Sequence, residues 1–278
     1  AGLPTVCSET CVGRLRYLGI VLYDADRVTR AAATADPAAL YEAQLELLLD
    51  PEDPEVERNA EESGIPYDWI AAARRSPAYA LIARHRVALP LHPEFRTMPM
   101  VWYVPPLSPI SDATASVGGN PENPADVFAT IDAMRIPLEY LASLFSAGDV
   151  EPVRRSLLKL AAVRTVMRAE QLGFSAGVVA AGAGMDVSEA RDLFKLLAIA
   201  RYEDRFVVPP THAEQAGRLL AQHDLSGCSL ESSGGCGDES DVTSSHVDGP
   251  SRRERDSRGR LHLEMLELGP GLEPGGAW

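Results

Sequence analysis

The sequence predicts a mainly α-helical protein with extended proline-rich segments and a few short strands. Three observations carry that expectation. Leu40, Ala43, Leu47 and Leu48 recur at three- and four-residue intervals, the spacing of one helix face. Helix start and stop signals, among them Pro37, Pro54, Gly64 and the pair Gly148-Asp149, punctuate the chain. One run, Leu89 to Pro109, carries six prolines, which remove amide donors and exclude helix, so the run is expected to be extended chain.

In chain order, Cys11 to Tyr23 begins with apolar and basic residues alternating and then becomes continuously apolar, the pattern of a buried strand or a strand after a short turn. Asp24 and Asp26 end that run and place acidic residues in the first turn of a helix. An amphipathic helix is expected over 37–49, a shorter polar one over 54–63 closed by Gly64, and a third over 67–75. The proline-rich run includes Met100, Val101, Trp102, Tyr103 and Val104, side chains stabilised by burial at roughly 1.5 to 3 kcal/mol each. Such a segment wraps over a large body. A Gly-, Ser-, Asn- and Pro-rich loop follows over 111–124. Helices are then expected at 124–134, 137–146, 150–170, 187–200 and 211–223, with a short strand or extended piece at 205–209. Residues 229–278 lose apolar density and read as a disordered tail, with one transient helical turn at 261–268.

The chain has 278 residues, length enough for one large domain or two ordinary ones. No stretch approaches the roughly 18 consecutive apolar residues of a membrane span, so the chain is expected to be soluble by itself. It shows no secretory signal, and with no starting Met it reads as a piece of a longer polypeptide. A net charge of −14 argues against nucleic-acid binding, which needs a basic surface for phosphates. Acidic residues crowd between Asp36 and Asp68, where Arg58 is the only basic side chain, as on a solvated helical face. Four cysteines in such a length are not a secreted disulfide framework, and a reducing compartment is expected.

Cys7 and Cys11 form a C-x3-C pair. The last two cysteines of a ferredoxin-type run have this spacing, and in two-cluster proteins the fourth reaches across to the other cluster. A proline commonly follows that fourth cysteine; here Val12 does. Zinc usually needs four Cys or His ligands, and Cys228 and Cys236 lie far away in a Gly/Ser-rich stretch. Spacing alone leaves free thiols and cluster ligands both open.

Longer words of the sequence resemble a known family. Residues 4–19, reading Pro-Thr-Val-Cys-Ser-Glu-Thr-Cys-Val-Gly-Arg-Leu-Arg-Tyr-Leu-Gly, resemble the last cysteine segment of the beta subunit of respiratory nitrate reductase. So do 23–26, the whole proline-rich run 89–109, Arg135-Ile-Pro-Leu-Glu-Tyr-Leu141 and residues 197–209. The resemblance extends over about residues 1–236 in the family's order. It implies an electron-transfer subunit that relays electrons, in anaerobic nitrate respiration, from a quinol-oxidising haem b membrane (gamma) subunit to a molybdenum catalytic (alpha) subunit. It implies a peripheral place on the cytoplasmic face of the membrane within that complex, and no catalysis by this polypeptide alone. Residues 1–23 would be the end of a ferredoxin-like iron–sulfur module, and 24–228 the mainly helical C-terminal domain. Cys7 would complete one 4Fe-4S cluster and Cys11 would cross to another, both with further ligands upstream; the family subunit also carries a 3Fe-4S cluster. Two other readings stand beside this one: a structural interaction domain with no cluster, and the equivalent subunit of a related molybdenum oxidoreductase acting on chlorate or selenate.

Arg14 and Arg16 follow the cysteines and are expected to pair with backbone or carboxylates; next to a reduced cluster their charge would raise its potential. The six histidines form no ligand pair at helical or ribbon spacing, and His92 is expected to be a buried hydrogen-bonding residue. Trp69 and Trp102 read as core or interface. Phosphate-loop, nucleophile-elbow and paired-carboxylate signatures are lacking in a credible context.

Overall fold

A computed structural model describes residues 6–99, 101–107, 110, 118, 124–134, 136–173, 175–199, 201–226 and 263–265. The strands are short: Arg16–Tyr17 (β1), Leu22–Asp24 (β2), Leu48–Leu49 (β3), Leu89–Pro90 (β4), Trp102–Tyr103 (β5) and Leu263–Met265 (β6). They form two antiparallel sheets, ordered β1-β5-β4 and β3-β2-β6. Around these lie helices α1 (Val6–Glu9), α2 (Ala25–Ala32), α3 (Leu40–Leu45), α4 (Pro54–Glu62), α5 (Tyr67–Arg75) and α6 (Pro77–Tyr79). After the proline-rich run come α7 (Pro124–Thr130), α8 (Leu138–Phe145), α9 (Val150–Gln171), α10 (Gly177–Gly182), α11 (Val187–Leu197), α12 (Tyr202–Arg205) and α13 (Pro210–Ser226). The protein is mainly α with an extended proline-rich segment and few short strands, as the sequence predicts.

Local chemistry sets several helix starts. Asp24 begins α2 by accepting from the amides of Asp26 (2.9 Å) and Arg27 (3.3 Å), Asp53 begins α4 by accepting from Glu55 N (2.8 Å), and Asp149 begins α9 by accepting from Glu151 N (3.1 Å). Gly64 ends α4 with φ +80°, a conformation that costs glycine nothing sterically. The start of α13 is different, because its partner comes from 143 residues away: Asp68 Oδ2 accepts from Thr211 N (3.2 Å) and Thr211 Oγ1 (2.8 Å). Trp69 Nε1 donates to the same hydroxyl at 2.8 Å, and its ring meets His212 edge-on with centroids 5.6 Å apart. Asp68→Ala is therefore expected to cost about 1 kcal/mol, the usual worth of an N-terminal helix partner, read as a lower urea midpoint with unchanged slope.

Three expectations give way. The helix expected over 37–49 is a 3₁₀ turn, Pro37–Ala39, then α3, and it stops at Leu45, because Leu48 and Leu49 pair with Tyr23 and Leu22 in β3. Leu22 is wholly buried, and its strand's backbone needs partners that water cannot supply there. The helical turn expected at 261–268 is instead strand β6 at Leu263–Met265, on the other side of β2 with Leu22 opposite Met265. Within the proline-rich run, helix is not fully excluded: Pro93–Phe95 is a 3₁₀ turn, where Pro93 sits at the first position and its missing N–H is no loss. Of 205–209, Arg205 ends α12 and Val207 to Pro209 is neither helix nor paired strand among the described residues. The segment 76–84 and α10 and α12 were not foreseen. Most of the loop over 111–124, and the tail over 229–278 except Leu263–Met265, lie outside the described residues.

The core gathers on α9, whose buried residues, Pro152, Val153, Ser156, Leu157, Lys159, Leu160, Ala161, Ala162, Val163 and Val166, face more than one side. A helix buried around its circumference is a central one. Helices α7, α8, α10 and α11 pack on it, and Ser156 Oγ donates to Val87 O at 2.8 Å. The proline-rich run wraps this body: Leu89 is fully buried, Trp102 is 3% exposed, and β5 is the central strand of its sheet, with Tyr17 and Pro90 both opposite Trp102. A smaller cluster of Ile20, Leu22, Val56, Ala72, Ala73 and Val207 joins β2 to α4 and α5. The acidic stretch is partly solvated and partly paired: Glu57 with Arg74 (2.8 Å), Asp50 with Arg84 (2.8 Å) and Glu42 with Arg86 (3.0 Å).

Candidate functional site

Cys7 lies exposed in α1, and Cys11, partly exposed, lies in the turn that follows; neither is in a disulfide. The turn is built from short-range bonds: Thr10 N and Thr10 Oγ1 donate to Val6 O (2.9 and 2.7 Å), and Arg14 N donates to Cys11 O (2.9 Å). Arg14 takes φ +50°, which folds the chain back so that the Leu15 amide points at Cys11 Sγ, 3.4 Å away. The far end is tied down by the proline-rich run, since Val104 N donates to Leu15 O at 2.8 Å and Arg16 pairs with Tyr103 in the β1/β5 register. Two aliphatic side chains flank the thiols in the open, Val6 at 72% and Val12 fully exposed.

Charge and amides favour the ionised form at Cys11. The Leu15 amide holds the Cys11 thiol below its ordinary range, against the raising effect of burial, with the Arg16 amide and guanidinium and the Gly13 amide acting in the same direction as Leu15. A thiolate surrounded by N–H donors is the form that binds iron or another soft metal. Both arginines are engaged with backbone, as expected from the sequence: Arg14 donates to Ile199 O and Arg16 to Cys7 O, each at 3.0 Å. Thus one guanidinium ties the cysteine segment to the chain after α11, and the other closes the cysteine loop on itself.

The residues present supply two thiols, and among the described residues there is no group of three or more His, Cys, Asp or Glu side chains placed to hold a metal ion. The pair fits as part of a ligand set and is not a full one. His92 corrects an expectation: it is not buried but about one-third exposed, in a left-handed conformation (φ +53°), with Nδ1 2.7 Å from Glu94 Oε1. Pro93 behind it starts the 3₁₀ turn, and that turn carries the ring outward. Cys228 and Cys236 lie outside the described residues. Reading the sequence did not find Leu15 and Val104 as supports of the site; both act through backbone atoms, which leave no side-chain signature.

Fold and site together define a class: a mainly helical scaffold that carries an N-terminal pair of free cysteine thiols, one of them set among amides. Comparison with known proteins then shows what the chain is similar to. Residues 107–189 match the family described as Respiratory nitrate reductase beta C-terminal, and the chain is similar to the C-terminal region of respiratory nitrate reductase beta chains. It is 49% identical over 238 residues to the nitrate reductase beta chain of Bacillus subtilis (strain 168), covering 85% of this chain and 48% of that one. It is 48% identical over 237 residues to the respiratory nitrate reductase 2 beta chain of Escherichia coli (strain K12), covering 85% and 45%. The dimethylsulfide dehydrogenase subunit beta of Rhodovulum sulfidophilum is 30% identical over 149 residues, covering 54% and 27%. The chain thus spans about half the length of the two nitrate reductase chains. No helix among the described residues is long and apolar enough to cross a membrane.

Proposed function

We propose that this chain is the helical portion of an electron-transfer subunit of a respiratory nitrate reductase, and that Cys7 and Cys11 are the last thiolate ligands of two different 4Fe-4S clusters. The observation that carries the reading is the setting of Cys11, whose sulfur accepts from the Leu15 amide beside the Arg16 cation in a segment like that of nitrate reductase beta chains. The bound clusters supply one-electron storage, and the chain's own residues hold and orient two of their sulfur ligands. Residues up to Tyr23 then form the end of a ferredoxin-like module and 24–228 the domain that clamps it. In the assembled enzyme the subunit passes electrons from a haem b membrane (gamma) subunit to a molybdenum (alpha) subunit, at the cytoplasmic face of the membrane and without a span of its own. The wider coverage of nitrate reductase chains, 85% of this chain against 54% for the dimethylsulfide enzyme, favours nitrate over other substrates of related enzymes.

The test uses the subunit with its upstream half. Anaerobic reconstitution, iron and sulfide analysis and electron paramagnetic resonance should give cluster signals that fall in Cys7→Ala and Cys11→Ala, with different signals lost in the two variants. Retention of every signal in both variants would sink the assignment and leave the interaction-domain reading.

A further inference from the structure

Among the described residues, His85 and Lys159 are the buried basic side chains, each 8% exposed, and both face one carboxylate. Lys159 Nζ donates to Glu189 Oε1 at 2.9 Å. His85 Nδ1 is 3.6 Å from the same oxygen, too far for a hydrogen bond, and has no other hydrogen-bond partner. Three elements meet there. His85 ends the π turn Ala80–Arg84, where its own amide donates to Ala80 O at 2.8 Å; the extra residue in that turn places the ring against α9 and α11. Lys159 comes from α9, and Glu189 from the first turn of α11.

The charged groups facing His85 are Glu189 and Asp192 from α11 and Lys159 from α9. On its own segment, Arg84 is directed to Asp50 and Arg86 to Glu42. Burial first, with Lys159 acting the same way, holds His85 below its ordinary value, while Glu189 and Asp192 oppose this. One carboxylate can neutralise one buried cation, and Lys159 already has it.

We propose that His85 is an acid-sensitive latch: neutral, it packs beside the Lys159–Glu189 pair, and protonated, it competes with Lys159 for Glu189 and loosens α11 from α9. The sign follows from linkage. The unfolded histidine takes its proton near 6.5 and the folded one only at lower pH, so the stability associated with neutral His85 is fully present above 6.5 and is lost as pH falls below it.

The experiment follows the His85 ring by NMR and the exchange protection of α11 amides in the full chain at pH 7.5 and 5.5. The His85 ring should titrate below 6.5, and α11 protection should drop severalfold, at most about tenfold per pH unit for one proton. Amides of the β1/β5 pair should not follow. Lys159→Met frees Glu189 for the histidine, so His85 should then titrate higher than in the parent and the acid loss of α11 should disappear. His85→Gln should keep α11 protection at pH 7.5 and abolish its acid loss, which decides the matter by itself if Lys159→Met fails to fold. The latch is overturned if wild-type His85 titrates at or above 6.5, if α11 protection is the same at both pH values, or if His85→Gln leaves the acid loss in place.

Discussion

Gly19→Ala is expected to lower the stability of the protein by about 3 kcal/mol, although it adds a single methyl group. Gly19 lies between buried Leu18 and Ile20, on the stretch that leads from the cysteine segment into β2. Its backbone φ is not positive, so the cost is one of space and not of conformation. An added Cβ would overlap Ser76 Oγ and come within 2.9 Å of Ala78 Cβ. Neither neighbour yields easily: Ser76 is 5% exposed and accepts from Ala78 N at the start of α6, and Ala78 is 2% exposed. Urea unfolding should show the loss as a lower midpoint with unchanged slope. Ser76→Gly in the same chain should recover part of it, because it removes the nearer obstacle and leaves the Ala78 contact. Equal stability of Gly19→Ala and the parent would mean that the cysteine segment is not packed on the 76–78 corner as described.

Leu157→Ala should be comparably severe, at about 3 kcal/mol within the roughly 2–5 kcal/mol range of buried leucine truncations. Leu157 is 1% exposed in the middle of α9 and belongs to the cluster that also holds Leu81, Leu89, Trp102 and Leu193. Removing it opens a void where helices and the proline-rich run meet, and close-packed surroundings refill such voids only in part. The matched control is Leu172→Ala just past the end of α9, where the side chain is 60% exposed and the change should stay within about 0.5 kcal/mol. Because Val104 both packs in this core and bonds to Leu15 O, loosening α9 is expected to reach the cysteine turn as well, seen as faster exchange of the Val104 amide.

The part of the site legible in the sequence was its chemistry. Two cysteines at C-x3-C spacing and two arginines soon after them are side-chain facts, and the structure places all four on one short stretch running from α1 through the turn into β1. The conformation that gives Cys11 its amide partner was not legible, because it depends on Arg14 adopting a positive φ that nothing about an arginine announces. The same holds for His85: its residue type was visible, but its burial follows from a π turn and from helices seventy and a hundred residues further on.

By itself the sequence determined the mainly helical class, the start of α4, α5 and α9 to the residue or nearly so, and the resemblance to nitrate reductase beta chains, since apolar period, capping carboxylates and long motifs are all local in the chain. Only the tertiary structure decided where the helix after Pro37 stops, that Trp102 lies at the centre of a sheet, and that Asp68 starts a helix at Pro210. Each of those depends on hydrogen-bonding partners brought from distant parts of the chain, and those partners meet only once the core has formed.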